Sequence, residues 1–307
     1  MSGAPAIEAR GLGRDYDGVR ALGALDLEVE PGALVGLLGP NGAGKTTAML
    51  LLATLLAPHR GSARVLGHDV VRERRAVRRR LGLVFQEPTV DPVLTVRENL
   101  EFAGRLAGLG GATLHHAVRH ALDHMGLAPR AGQLARELSG GWRRLADIAR
   151  ATLHAPALLI LDEPTIGLDP EHRARLWGFL DAERRARGTT VLFSTHYLDE
   201  AAPADRVLLL ARGDAVADGP PASLLAPLGS AMLELDGPGS AAAARALLDE
   251  GLASRLVPCA GAVRVSLDGA REHALERAAA APGVTRAAVR APTLEDAYFL
   301  RTGAGAP

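Results

Sequence analysis

The chain has 307 residues, 48% hydrophobic and 23% charged, which suits one large domain plus a smaller one around a sizeable core. Lys+Arg and Asp+Glu both total 35, so net charge directs the protein neither to nucleic acid nor to an anionic surface. Cys259 is the single cysteine, which excludes an internal disulfide and a cysteine-cluster metal site.

At the start, Met1-Ser2-Gly3-Ala4-Pro5 lacks the basic-then-apolar order of a signal peptide, and no apolar run reaches the ~18 residues of a membrane span. A soluble, cytosolic chain is expected. Ala33-Leu34-Val35-Gly36-Leu37-Leu38 reads as a buried strand, and Thr47-Ala48-Met49-Leu50-Leu51-Leu52-Ala53 as a helix start. Between them, Gly39-Pro40-Asn41-Gly42-Ala43-Gly44-Lys45-Thr46-Thr47 fits the phosphate-loop pattern G-x-x-x-x-G-K-[ST]. With 35 glycines and a single lysine, composition gives on the order of 0.001 chance matches in the whole chain. Strand, glycine loop and helix together turn backbone N–H groups toward an anion. Gly42 and Gly44 let the backbone approach phosphate oxygens, and Thr46 offers a hydroxyl to Mg²⁺. Lys45 is the only lysine; the other 34 basic residues are arginine. A compact ammonium fits between β- and γ-phosphates where a planar guanidinium fork does not.

Two features of the following stretch invite a ligand reading and favour a plainer one. Arg72-Glu73-Arg74-Arg75 with Arg78-Arg79-Arg80 reads as a solvated helix face in an arginine-biased chain. His116, His120 and His124 recur at i, i+4 and i+8. Leu114, Val118, Ala121, Leu122 and Met125 form the apolar face of that helix, leaving the histidines on its wet side. Thr95-Val96-Arg97-Glu98-Asn99-Leu100 is a plausible helix start.

Ala157-Leu158-Leu159-Ile160-Leu161 is a continuous apolar strand ending in Asp162-Glu163. Asp162 at its carboxyl end can hold Mg²⁺ through water, and Glu163 can act as general base on a water molecule. By themselves the two acids could equally be solvated loop residues; Lys45 tips the balance. Thr190-Val191-Leu192-Phe193-Ser194 runs into Thr195-His196, which places the histidine near a γ-phosphate or its attacking water. Alone, that histidine reads as structural or exposed. Past residue 229 the pattern becomes strand 232–235, helix 241–249, strands 255–257 and 263–267, helix 272–280 and strand 284–289. That β-α-β-β-α-β order is ferredoxin-like.

The ordered motifs resemble the nucleotide-binding subunit of ABC transporters over residues 6–220. The decisive element is Leu138-Ser139-Gly140-Gly141, close to that family's signature, followed by a helix over 142–153 and then the acid strand. The resemblance implies an α/β fold: a P-loop NTPase core with an antiparallel β-region and a helical subdomain (about 87–155), plus a small α+β domain. It implies an ATP-binding domain over 6–226 and an accessory domain over 229–307. ATP and Mg²⁺ are the implied cofactors, and Lys45, Glu163 and His196 the catalytic set. The residues at the nucleotide would be Tyr16 (on adenine), Gly39, Pro40, Asn41, Gly42, Ala43, Gly44, Lys45, Thr46, Thr47, Gln86, Ser139, Gly140, Gly141 and Asp169. Thr46, Gln86 and Asp162 would serve the metal. Taken alone, a tyrosine in such a β-region is more often a packing residue.

In the resembled family one subunit's signature meets the γ-phosphate held by its partner, so a head-to-tail pair is implied, here a homodimer. A separate polytopic membrane subunit, gripped around residues 86–100, would carry the pathway, with this chain peripheral on the inner membrane face. The tail Pro292-Thr293-Leu294-Glu295-Asp296-Ala297-Tyr298-Phe299-Leu300 resembles endings of drug-resistance-type exporters, as does Ser194-Thr195-His196-Tyr197-Leu198-Asp199-Glu200-Ala201. Export of a drug-like, lipid or polysaccharide substrate follows from that likeness, and no nucleic acid is expected. The competing readings are a non-transport ABC-type ATPase acting on nucleic acid or the ribosome, and a nucleotide-dependent regulatory module. One departure stands out: Trp142 follows the signature glycines where the family has Gln or Met. Its indole could stack on a partner's nucleotide or pack under its own helix.

Overall fold

The computed structural model describes residues 4–259, 262–269 and 271–303. The opening Met1-Ser2-Gly3 and the end of the expected accessory domain, residues 304–307, lie outside the described residues. The chain forms two compact units: one runs to His196 and includes Arg212–Asp214, the other comprises Tyr197–Ala211 and the chain from Ala215 onward. The domains expected from the sequence, 6–226 and 229–307, rest on Gly219-Pro220-Pro221 and the change of pattern that follows it.

In the first unit, β1 (Ile7–Tyr16) and β2 (Val19–Val29) form an antiparallel hairpin. Tyr16 pairs Val19 across Asp17-Gly18, both at positive φ (47° and 79°), the backbone a two-residue turn demands. β3 (Leu34–Leu38) is buried at every residue and feeds α1 (Lys45–Leu52). β4 (Arg60–Val65) pairs with β1, and β5 (His68–Asp69) with β4, completing an antiparallel sheet in the order β2-β1-β4-β5. On α2 (Arg74–Arg79) only Val77 is buried, so its arginines form a solvated face. β6 (Leu81–Val84) precedes the helical region: α3 (Val96–Leu106), α4 (Gly111–His124) and α5 (Gly140–Thr152). Thr95 and Glu98 start α3 with a reciprocal capping box. On α4 the rings of His120 and His124 stack at 4.0 Å, and among the described residues no group of three His, Cys, Asp or Glu could hold a metal.

β7 (Leu158–Leu161), α6 (Pro170–Arg187) and β8 (Thr190–Thr195) complete the core. Pro170 opens α6 and Gly188, in the left-handed region, closes it. β3 pairs with β8, β8 with β7 and β7 with β6, all in parallel. Parallel strands buried on both faces need continuous apolar runs, which LLIL and LVGLL supply. The carboxyl ends of these four strands lead into the phosphate loop, His196, Asp162-Glu163 and the segment with Gln86, so the sheet delivers four motifs to one edge.

The second unit contains β9 (Arg206–Ala211), most of β10 (Asp214–Gly219) and α7 (Pro221–Leu225). It then runs through β11 (Ala231–Asp236), α8 (Ser240–Asp249), β12 (Arg255–Val257), β13 (Val263–Leu267), α9 (Arg271–Ala279), β14 (Arg286–Arg290) and α10 (Leu294–Thr302). Its antiparallel sheet has the order β12-β13-β11-β14, the ferredoxin-like arrangement. Leu233, Leu235, Val265 and Leu267 join Ala244 and Leu247 of α8 and Ala274 and Ala278 of α9 in an apolar core. Alternation puts Glu234, Arg264 and Arg290 on the opposite face, where they meet α10. There Asp296, fully buried, accepts from both terminal nitrogens of Arg290 (2.6 and 2.8 Å) and from Arg264 (3.2 Å). Among the described residues no helix is long and apolar enough to cross a membrane.

Candidate active site

A cavity of about 370 Å³ opens at the N-terminus of α1, lined by residues 41–47 with Gln86, Glu163 and His196. The loop can take its path because Gly44 caps α1 at φ 102°, where a Cβ would stand 2.7 Å from the Ala21 carbonyl oxygen. Gly39 and Pro40 supply the carbonyl oxygens that anchor Lys45: its Nζ donates to them at 2.7 and 3.1 Å. The ammonium is 6% exposed and lies 3.6 Å from Glu163 Oε1. Burial pushes Lys45 below the ordinary lysine value, while the carboxylates of Glu163 and Asp162 oppose that shift.

The acid pair is built with equal detail. Thr46 Oγ1 donates to Asp162 Oδ2 at 2.9 Å, and Ser194 Oγ donates to Asp162 Oδ1 at 2.5 Å. The same Ser194 hydroxyl accepts from the Glu163 main-chain N–H at 2.8 Å. Glu163 has left-handed backbone (φ 48°), a conformation that costs a non-glycine residue ~1–3 kcal/mol. That turn swings its carboxylate toward His196, whose Nδ1 lies 2.9 Å from Oε2.

The donor set fits Mg²⁺. Thr46, which lines the cavity, donates its hydroxyl to the Asp162 carboxylate, and Gln86 is a second lining residue with an amide to offer. Hard oxygen donors with one protein carboxylate are what Mg²⁺ takes when substrate phosphates and water complete its shell.

The remaining expected residues lie outside that cavity's lining. Tyr16 is exposed at the end of β1, with the Arg14 guanidinium 5.0 Å over its ring. Ser139 caps α5, exposed and with no side-chain capping bond, and Gly140 beside it is exposed too. Gly141 packs so tightly that a Cβ would sit 3.2 Å from the His172 ring. Asp169 caps α6 through the His172 N–H (2.9 Å) and also pairs with His172 Nδ1 (2.7 Å), which holds its carboxyl below the usual range. Trp142, half-buried, packs against its own subunit: the Arg130 guanidinium lies 3.9 Å over the indole, and His172 meets it edge-on at 4.5 Å. The chain thus carries the cavity at the N-terminus of α1 and, outside its lining, a second helix N-terminus, that of α5, with Ser139 and Gly140 exposed.

Sequence reasoning missed two contributors. Ser194 has no site role in the sequence reading, although a hydroxyl two positions before His196 on a buried strand must find a partner. Arg144 was not singled out at all. Its signal was an arginine on the buried stripe of α5, one turn before Ile148.

A family model described as ABC transporter matches residues 22–166. The daunorubicin/doxorubicin resistance ATP-binding protein DrrA of Streptomyces peucetius is 46% identical over 231 residues, covering 75% of this chain and 70% of that protein. The Nod factor export ATP-binding protein I of Paraburkholderia xenovorans (strain LB400) is 39% identical over 235 residues, covering 76% and 77%. Among solved structures, the dimeric ATP-binding cassette MJ0796 in a post-hydrolysis state with ADP and Pi superposes with a TM-score of 0.65 at 25% identity, covering 70% of this chain and 98% of that one.

Proposed function

Since the chain belongs to the ABC transporter family of ATP-binding subunits, we propose that it powers export of a drug-like, lipid or polysaccharide substrate through a separate polytopic membrane subunit, at whose cytoplasmic face it sits. The observation that carries the reading is the meeting of Lys45, Glu163 and His196 in one cavity at a helix N-terminus. The ATP-binding domain is assigned to residues 6–226 and an accessory domain to 229–307.

ATP's phosphates enter against the backbone N–H groups of residues 41–47, and Lys45 turns part of its donor capacity to the β- and γ-oxygens. Mg²⁺, held by Thr46 and Asp162 with Gln86 alongside, would supply charge neutralisation at the phosphate oxygens. Glu163 takes a proton from the attacking water as its oxygen bonds to the γ-phosphorus and the bond to the β–γ bridging oxygen breaks. His196, hydrogen-bonded to Glu163, holds that carboxylate in place beside the γ-phosphate. Ser139 and Gly140 are exposed, Gly141 is buried behind them, and none of the three lines their own chain's cavity. They act on the nucleotide of a second copy, with Asp169 crossing between the two. ATP therefore favours a closed homodimer through its differential affinity for that state, and hydrolysis releases it.

Purification of tagged full-length protein from detergent-solubilised membranes tests the assignment. Co-purification of a polytopic membrane protein that raises ATP turnover is the expected result. Recovery of ribosomes or DNA, with no membrane subunit, overturns the transport reading in favour of a nucleic-acid or ribosome ATPase.

A further inference from the structure

Arg144 sits on α5, four residues beyond the Gly140 that opens that helix, and is 3% exposed. A buried guanidinium normally faces a carboxylate. This one instead distributes its N–H groups over five main-chain carbonyl oxygens. Nε donates to Pro164 (3.2 Å), and Nη1 to Gln86 (3.1 Å) and Phe85. Nη2 donates to Asp162 (2.7 Å) and Glu163 (3.0 Å).

These acceptors belong to two segments only. One leaves β6 and carries Gln86; the other leaves β7 and carries Asp162 and Glu163. The second holds its left-handed turn at Glu163 between the Ser194 hydroxyl on its N–H and Arg144 on its carbonyl. Removing the fork would take a donor from five buried or part-buried carbonyls, and the turn that aims the Glu163 carboxylate would keep the Ser194 hydroxyl and the longer Ile166 N–H contact (3.3 Å) but lose the guanidinium. Asp147, one turn further along α5 and fully buried, helps balance the charge.

We propose that Arg144 is a positioning residue for ATP hydrolysis: from the helix headed by Ser139-Gly140-Gly141 it fixes the segments bearing Gln86 and Glu163 in mutual register. It touches neither nucleotide nor water itself. It is absent from the lining of the phosphate cavity, so its role lies in the chemical step rather than in nucleotide capture. A shift of α5 would be transmitted through one rigid planar group to both segments at once.

The proposal rests on the ATPase reading, and the wild-type protein separates the two: absence of turnover there defeats that reading, not this one. The test compares full-length wild type with Arg144→Lys, which keeps the charge but loses the five-donor fork, and Arg144→Met, which keeps much of the volume. Steady-state kcat and KM, the Kd for a fluorescent ATP analogue, and the unfolding midpoint are measured for each. The expected result for Arg144→Lys is a fall in kcat of about tenfold or more, with KM and Kd within threefold of wild type. Arg144→Met is expected to lose at least as much kcat. A kcat within twofold of wild type in Arg144→Lys overturns the proposal. So does loss of analogue binding and of cooperative unfolding in both variants, because that would mark Arg144 as a general fold residue.

Discussion

His196 presents Nδ1 to Glu163 Oε2 at 2.9 Å, joining the residue just past β8 to the second residue past β7. The other oxygen of that carboxylate faces Lys45 Nζ at 3.6 Å. One carboxylate is thus held between an imidazole and an ammonium, and three motifs far apart in the sequence meet on a single functional group. A general base needs this kind of restraint, because a freely rotating carboxylate would seldom face the water it must deprotonate.

Lys45 is the residue least replaceable by its chemical relative. Its ammonium fills a buried position against two carbonyl oxygens, and a guanidinium would need room for a broad planar fork. Lys45→Arg is therefore expected to weaken binding of a fluorescent ATP analogue by about tenfold or more while the protein stays folded. An affinity within twofold of wild type would show that any cation suffices there.

In the C-terminal unit, Asp296 joins β13, β14 and α10. Burial alone would raise its carboxyl, but hydrogen bonds from Arg290 and the Thr293 N–H hold it below the usual range. Asp296→Ala removes the buried counter-ion that Arg264 and Arg290 share and leaves them Glu234, 3.3 Å from each, at a cost of about 2 kcal/mol in urea unfolding. The sign of the pH dependence follows from the depressed value. The stabilisation is present above the unfolded-state pKa of about 3.9 and is lost as pH falls through the folded value. Wild type should therefore lose its advantage over Asp296→Ala below about pH 4. A difference that does not change between pH 7 and pH 3 would contradict the ion-pair account.

Much of this was legible because the informative features are local. A phosphate loop is one contiguous turn whose glycines and lysine are needed by nearby backbone. Continuous apolar runs identify β3, β7 and β8 without reference to partners, and the alternation from Met232 onward gave the ferredoxin-like order. What could not be read is what depends on through-space partners. Arg144 looks like any other residue in an arginine-rich chain until the helix is placed against the ends of β6 and β7. The packing of Trp142 depended on Arg130 and His172, respectively 12 residues before and 30 after it in sequence. The grouping of β9 with the C-terminal unit depends on contacts that no pattern along the chain encodes.

The central claim is that Glu163 performs the proton transfer and that ATP bound between two copies holds them together. Glu163→Gln tests both parts in one sample, by ATP turnover and by molar mass in size-exclusion chromatography with light scattering. Turnover should fall by about 10²- to 10⁴-fold, while the variant with MgATP elutes as a dimer longer-lived than wild type. Turnover at the wild-type rate, or a variant that stays monomeric with saturating MgATP, would contradict the account.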